Sequence, residues 1–333
     1  MKKIMSFLVV PMLILGLVAC NDSEEASGSK SGETITWKMG HLSNTDHQWH
    51  KTAEKFAELV DEKTDGKLNI EIYPNEQLGS ETEVLNSIEA GTVDMTISGE
   101  TMQNWAPEAA LMAVPYAFKG EDHLKRVVEG EIGDDIEKSI KEKVGVTPLY
   151  YHMRAPRNLT SSKPISTPAD LDGFKMRVPN VPLFMDAWEA AGARPQVMAF
   201  SEVFTGLQQG VIDGQENPVD LIQSAGFSEV QDYVNVTEHV YSWIYVVVGN
   251  KQLEALDKET QEAVKEAAAE AQEYGMKLYK SETEKITQQL KDEGMKFNEV
   301  DQDAFAEAMR PAVEKSLNKE QLDLYNRIVE EGK

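Results

Sequence analysis

From Asp257 to near Gly294 the chain carries one unbroken helical pattern, with apolar or small residues at Val264, Ala267, Ala268, Ala271, Tyr274, Leu278, Ile286 and Leu290. Roughly 35 residues rising about 1.5 Å each reach about 50 Å. No coiled-coil heptad is sustained along it, and the length exceeds one lobe of a compact two-domain protein. A helix of this kind has to bridge two lobes, and that requirement constrains everything upstream.

From Ile35 onward short apolar runs alternate with amphipathic segments. Ile35 to Met39 reads as a strand, Trp49 to Thr64 as a helix with Phe56, Leu59 and Val60 on one side, and Leu68-Ile70-Ile72 as an alternating strand stopped by Pro74. Ser80 with Glu83 three residues on is a capping-box signal for a helix running to Gly91. Val93-Met95-Ile97 is the next strand, ending at Ser98-Gly99, small residues that let a ligand approach the backbone. This rhythm predicts a mostly parallel sheet covered by helices.

The stretch Gly173 to Pro218 carries the polar features. In Phe174-Lys175-Met176-Arg177-Val178 side chains alternate, so Lys175 and Arg177 share one face and the apolar residues the other, until Pro179 ends the run. Met198 to Phe204 reads as a helix and Gly210 to Pro218 as a strand, giving an α/β unit whose strand ends are marked by Arg177 and Asn217. Ligands of open α/β sheets gather at the carboxyl ends of strands.

Two segments read as crossings between lobes. Tyr150 to Thr160 holds Arg154 and Arg157 among aromatics, before the polar loop Pro164 to Pro168. Val240 to Val248 is almost wholly apolar, the mark of a strand buried on both faces. The expected partition is 34–154 plus 243–282 for the first lobe and 155–242 plus 283–333 for the second. Residues 301–330 add two amphipathic helices.

The N-terminal end reads as a leader. Lys2 and Lys3 precede an apolar run from Phe7 to Val18, and Leu17-Val18-Ala19-Cys20 closes it. This is a secretory signal over residues 1–19 rather than a membrane span. Cys20 is the sole cysteine, and its setting matches a bacterial lipoprotein box in which the thiol is lipidated. Asn21 to Gly32 is polar and cannot bury a core, so residues 20–33 read as a lipidated tether that places the folded part outside the cytoplasmic membrane.

Charge and motifs exclude several functions. The sequence holds 33 basic and 57 acidic side chains, a net charge of −24, which argues against nucleic acid as a partner. His47 and His50 have helical spacing and, with His41 and His152, are candidate metal ligands, but no carboxylate or cysteine set accompanies them. No nucleophile elbow, phosphate loop or dinucleotide fingerprint occurs. No metal and no cofactor is expected, and capture of a ligand is favoured over turnover.

Three separated motifs, Met176-Arg177-Val178-Pro179, Met198-Ala199-Phe200-Ser201-Glu202-Val203 and Asp213-Gly214-Gln215-Glu216-Asn217-Pro218, resemble the signature of the DctP-like extracytoplasmic solute receptors of TRAP (tripartite ATP-independent periplasmic) transporters. The likeness covers nearly all of the chain from about Ile35. It implies an α/β, two-lobed periplasmic-binding-protein-like fold with a long bridging helix, no enzymatic activity, an organic acid ligand and a TRAP permease as partner.

By the same resemblance Arg177 is the carboxylate clamp, Arg157 a second donor and Asn217 a polar contact. Asn180 and Phe200 line the second lobe, while Glu81, Ser98 and Gly99 come from the first. Guanidinium suits the clamp because it stays charged and offers paired donors. Leu42 and Gly99 stand where sialate-binding members carry polar side chains, so a smaller sugar acid such as a uronate is expected, its hydroxyls met by Glu81, Asn180, Asn217 and His41. An aromatic or branched 2-oxo acid is the alternative, suggested by Trp243, Tyr241 and Phe200. Two further readings stay open: a surface enzyme acting on uronates with His152 or Glu81 as base, and a receptor for an ATP-driven importer.

Overall fold

The computed structural model describes residues 34–332. The leader, Cys20 and the tether lie outside the described residues.

Among the described residues eleven strands form two sheets. They are β1 (Ile35–Gly40), β2 (Leu68–Tyr73), β3 (Met95–Ser98), β4 (Val146–Met153), β5 (Arg157–Ser161), β6 (Lys175–Val178), β7 (Arg194–Val197), β8 (Gly214–Pro218), β9 (Tyr233–Val240), β10 (Trp243–Gly249) and β11 (Lys296–Asn298). The first sheet has the order β2-β1-β3-β10-β4, the second β11-β9-β5-β8-β6-β7. The chain passes from the first to the second between Met153 and Arg157 and returns between Val240 and Trp243.

Those passages decide strand direction. Strands β2, β1 and β3 are mutually parallel, as helical crossovers require. Strand β4 leaves toward the second sheet and β10 arrives from it with no crossover helix, so the two run antiparallel, with Tyr245 opposite Tyr151. The expected mostly parallel sheet is therefore mixed. Strand β10 is buried along its whole length, as its apolar run requires. Strand β9 had no counterpart in the sequence reading, because Asn235, Thr237 and His239 break its apolar pattern; all three are buried and hydrogen-bonded.

The long helix spans Lys258–Asp292, 35 residues, with Asp257 capping it by accepting from the Thr260 amide. Its buried stripe runs Val264, Ala267, Ala268, Ala271, Gly275, Tyr279 and on to Leu290. Tyr274, expected inside, is 40% exposed; the stripe passes instead through Gly275, where a Cβ would sit 3.1 Å from Thr52 Cγ2 on the helix Gln48–Lys63. At the other end Lys291 lies over the Phe297 ring of β11. One helix thus touches both lobes.

Helix Gln302–Ser316 stays with the second sheet, Ser316 Oγ donating to Asp186. The last helix, Lys319–Glu331, does not: Gln321 Nε2 donates to the Pro107 carbonyl at 2.6 Å and Arg126 Nη2 to the Glu331 carbonyl. The sequence reading places 283–333 with the second lobe; among the described residues this last helix makes its contacts with Pro107–Ala113 and Glu121–Val128, which follow β3. Among the described residues no helix is long and apolar enough to cross a membrane.

Candidate functional site

Between the two sheets lies a cavity of about 650 Å³. Arg154, Arg157 and Arg177 all reach its wall, and their surroundings differ.

Arg177 stands on β6, held between β7 and β8, and Pro179 ends the strand beside it. Its side chain is buried, Nε donates to the Met198 carbonyl at 2.9 Å, and the guanidinium lies 5.9 Å from the centre of the Phe200 ring. Among the described residues no carboxylate comes within 4.0 Å of it. Burial pushes its pKa down to about 10, Arg157 adds to that, and Glu216 pulls the other way.

Arg157 opens β5 and is committed. Its Nε and Nη2 grip the Glu216 carboxylate on β8, Nη2 also reaches the Glu216 carbonyl at 2.8 Å, and Phe184 lies under the guanidinium. Burial alone would raise the Glu216 pKa, but Arg157 and His239 pull it down to about 2. Arg154, at the crossing after β4, donates from Nη1 to both oxygens of Glu100 at 2.9 and 3.1 Å and lies over the Trp49 ring. Its Nε is buried without a partner.

The first lobe supplies Glu81, the first residue of a helix capped by Ser80, together with Ser98 and Gly99 at the end of β3. Glu81 Oε1 accepts from Ser98 Oγ at 2.5 Å and from the Gly99 amide at 3.3 Å. Burial raises the Glu81 pKa, the Ser98 bond opposes this, and the Glu100 charge adds to it. A Cβ at Gly99 would lie 2.5 Å from Ile244 Cγ2, so only glycine leaves β10 in place beneath the cavity. The second lobe adds Asn180, Phe200 and Asn217; Asn217 Nδ2 donates to Gln215 Oε1.

Eight of the ten predicted ligand-site residues line the cavity: Arg177, Arg157, Asn217, Asn180, Phe200, Glu81, Ser98 and Gly99. His41 and Trp243 do not. His41 lies behind the wall, joined to His50 at 3.0 Å and to Ser43 at 3.0 Å, and burial pushes its pKa down to about 3. Trp243 is fully buried, edge-on to Phe118 and Tyr245. Of the three aromatics that suggested an oxo-acid ligand, Phe200 alone reaches the cavity. Leu42 and Gly99 both line it.

Sequence reasoning assigned no role to Glu100 or Glu216. Glu216 lies inside the Asp-Gly-Gln-Glu-Asn-Pro motif, where an acidic residue in the middle of a buried strand is the available signal; Glu100 directly follows Ser98-Gly99 and opens the short helix Glu100–Asn104, with no such mark. Among the described residues no group of three or more histidine, cysteine or acidic side chains could hold a metal ion.

The family model of the bacterial extracellular solute-binding proteins, family 7 (DctP), matches residues 39–320. The chain belongs to this family. It is a TRAP-transporter solute-binding protein, extracytoplasmic and not an enzyme, which sets aside the surface-enzyme and ATP-driven-importer readings. A solute-binding protein of Roseobacter denitrificans is 52% identical over 295 residues, 89% of this chain and 91% of its own. A crystal structure of a TRAP solute-binding protein from that organism, with bound L-galactonate, has 51% identity and a TM-score of 0.88, covering 90% of this chain and 99% of its own. The 2,3-diketo-L-gulonate-binding periplasmic protein of Escherichia coli is 35% identical over 302 residues, 90% of this chain and 89% of its own. A Sulfitobacter TRAP solute-binding protein with bound β-D-galacturonate has 30% identity and a TM-score of 0.86, covering 89% and 99%.

Proposed function

We propose that this solute-binding protein captures a six-carbon sugar acid outside the cytoplasm, holds its carboxylate on Arg177, and delivers it to a TRAP permease while tethered to the membrane through a lipid on Cys20. The observation that carries the reading is the contrast among three buried arginines. Arg154 and Arg157 already have their carboxylates, Glu100 and Glu216, and Arg177 has none within 4.0 Å among the described residues. An unneutralised buried guanidinium is costly, and an arriving carboxylate removes that cost.

The remaining wall suits a polyhydroxylated chain. Glu81, Ser98, Asn180 and Asn217 offer donors and acceptors, and Phe200 offers a flat apolar face. Arg157 presents Nη1, the edge that Glu216 leaves uncovered and that Glu100 flanks at 3.5 Å. An open-chain hexonate is the preferred member of the class, supported by the L-galactonate bound to the Roseobacter relative at 51% identity. A cyclic hexuronate is the second reading, supported by the galacturonate in the Sulfitobacter structure.

Calorimetric titration with L-galactonate and D-galacturonate tests this. Specific binding to either, lost by about a hundredfold to a few thousandfold in Arg177→Ala, is the expected result. Unchanged affinity in that variant would sink the proposal. Lipid anchoring is checked separately, by whether Cys20→Ala releases the protein from the membrane fraction.

A further inference from the structure

Three guanidinium groups reach the cavity, and two carboxylates are fully committed to them. Glu100 is 5% exposed; it accepts from Arg154 on both oxygens and lies 3.5 Å from Arg157 Nη1. Glu216, with no exposed surface, closes Arg157 from the other side. His239 also contacts Glu216, and burial pushes its pKa down, which keeps the ring neutral near pH 7. Glu81, half-buried in the cavity wall, adds either no charge or one negative charge. The fixed charge around the cavity therefore comes to one positive at most. Glu76, Glu83 and Glu202 stand at the mouth and carry no compensating cation into it.

We infer that Glu100 makes this a receptor for monocarboxylates: by occupying Arg154 and flanking Arg157 it leaves a single uncommitted cation, so a ligand with a second carboxylate is refused. The inference rests on the proposed capture of a sugar acid by Arg177. It adds a selectivity that clamp geometry alone does not contain, since three arginines in one cavity would otherwise suit a dianion well. A second carboxylate buried here would find no unpaired cation and would face Glu100 and Glu81. Stranding a charge in that way weakens binding by on the order of a hundredfold or more.

The test uses three ligands built on one carbon chain: L-galactonate, its analogue carrying a carboxamide at C6, and the dicarboxylate with a carboxylate at C6. Amide and carboxylate have nearly the same shape and differ in charge. Calorimetry on the purified protein is expected to show the dicarboxylate at least about tenfold, and on the order of a hundredfold, weaker than the amide. Glu100→Gln is expected to narrow that gap by about tenfold or more, and Glu100→Asp to keep it. A gap under tenfold in the unaltered protein overturns the inference, whether both ligands bind or both are refused, because shape and not charge would then decide. A folded Glu100→Gln protein with the gap unchanged overturns the role of Glu100. Should L-galactonate and D-galacturonate both fail to bind, the sugar-acid reading itself falls, which is a separate outcome from poor discrimination among bound ligands. The comparison in the unaltered protein stands even if the variant does not fold.

Discussion

Arg157 and Glu216 form a two-point ion pair on neighbouring antiparallel strands, Nη2 to Oε1 at 2.6 Å and Nε to Oε2, with neither side chain more than 2% exposed. Removing one partner leaves the other charged and buried. Arg157→Ala or Glu216→Gln should each cost about 3–5 kcal/mol in chemical denaturation. The apolar double replacement Arg157→Met, Glu216→Leu should cost less than either, since no charge is stranded. Equal or additive losses would show that the pair contributes shape rather than charge.

The same buried groups set the acid response. Glu216 titrates near 2 when folded, below its ordinary 4.5, so the stability it contributes is present above that ordinary value and lost as pH falls through it toward 2. His41 and His152 are held by burial at about 3, below the ordinary 6.5. The unfolded chain takes up their protons first, so they too destabilise the fold as pH falls from about 6.5 to 3. Melting temperature should decline through that whole window, and His152→Gln should flatten its upper part. A flat profile from pH 6.5 to 4.5 would contradict the burial of these imidazoles.

How much of this was legible beforehand follows from where the signals lie. The long helix, the capped helix Glu81–Ala90 and the buried strand Trp243–Gly249 announce themselves by period, cap and composition. Eight of the ten site candidates reach the cavity because motif and strand end coincide. His41 and Trp243 do not, because polarity or aromaticity in a sequence says nothing about which side of a wall a residue occupies. The destination of the last helix was also hidden: its amphipathic face is visible in the sequence, and the surface that covers it is set by tertiary contacts. The ion pairs of Glu100 and Glu216 were missed for a related reason, since both partners come from distant parts of the chain.

Closure across the cavity mouth rests on few polar links. Asn104 Nδ2 donates to the Asn180 carbonyl at 2.9 Å, and the Ser201 amide donates to Glu76 Oε2 at 3.0 Å. Each joins an element beside the first sheet to one beside the second. Asn104→Ala should leave melting temperature of the free protein nearly unchanged and weaken L-galactonate binding by about three- to tenfold, the value of one ordinary hydrogen bond. Stopped-flow traces should assign most of that change to dissociation. A loss carried wholly by association would mean that these links do not form in the closed state.

Gly99 joins the site to the first sheet. Its amide donates to Glu81, and its missing side chain leaves room for Ile244 on β10. An alanine Cβ would lie 2.5 Å from Ile244 Cγ2 and 3.4 Å from the Trp243 carbonyl. Ile244 is β-branched and 4% exposed, so it cannot swing aside cheaply. Gly99→Ala should cost about 1–3 kcal/mol by overpacking and also weaken binding, because the strand that presents Ser98, and with it the hydrogen bond from Ser98 to Glu81, must shift. Gly91→Ala is the control. That residue ends the helix Glu81–Ala90 at φ 75° with nothing near its Cβ position, and it should cost about 1–2 kcal/mol by backbone strain alone. Both variants should melt earlier, and only the first should lose affinity for L-galactonate. Equal affinities in the two would mean that the backbone at Gly99 does not shape the cavity floor.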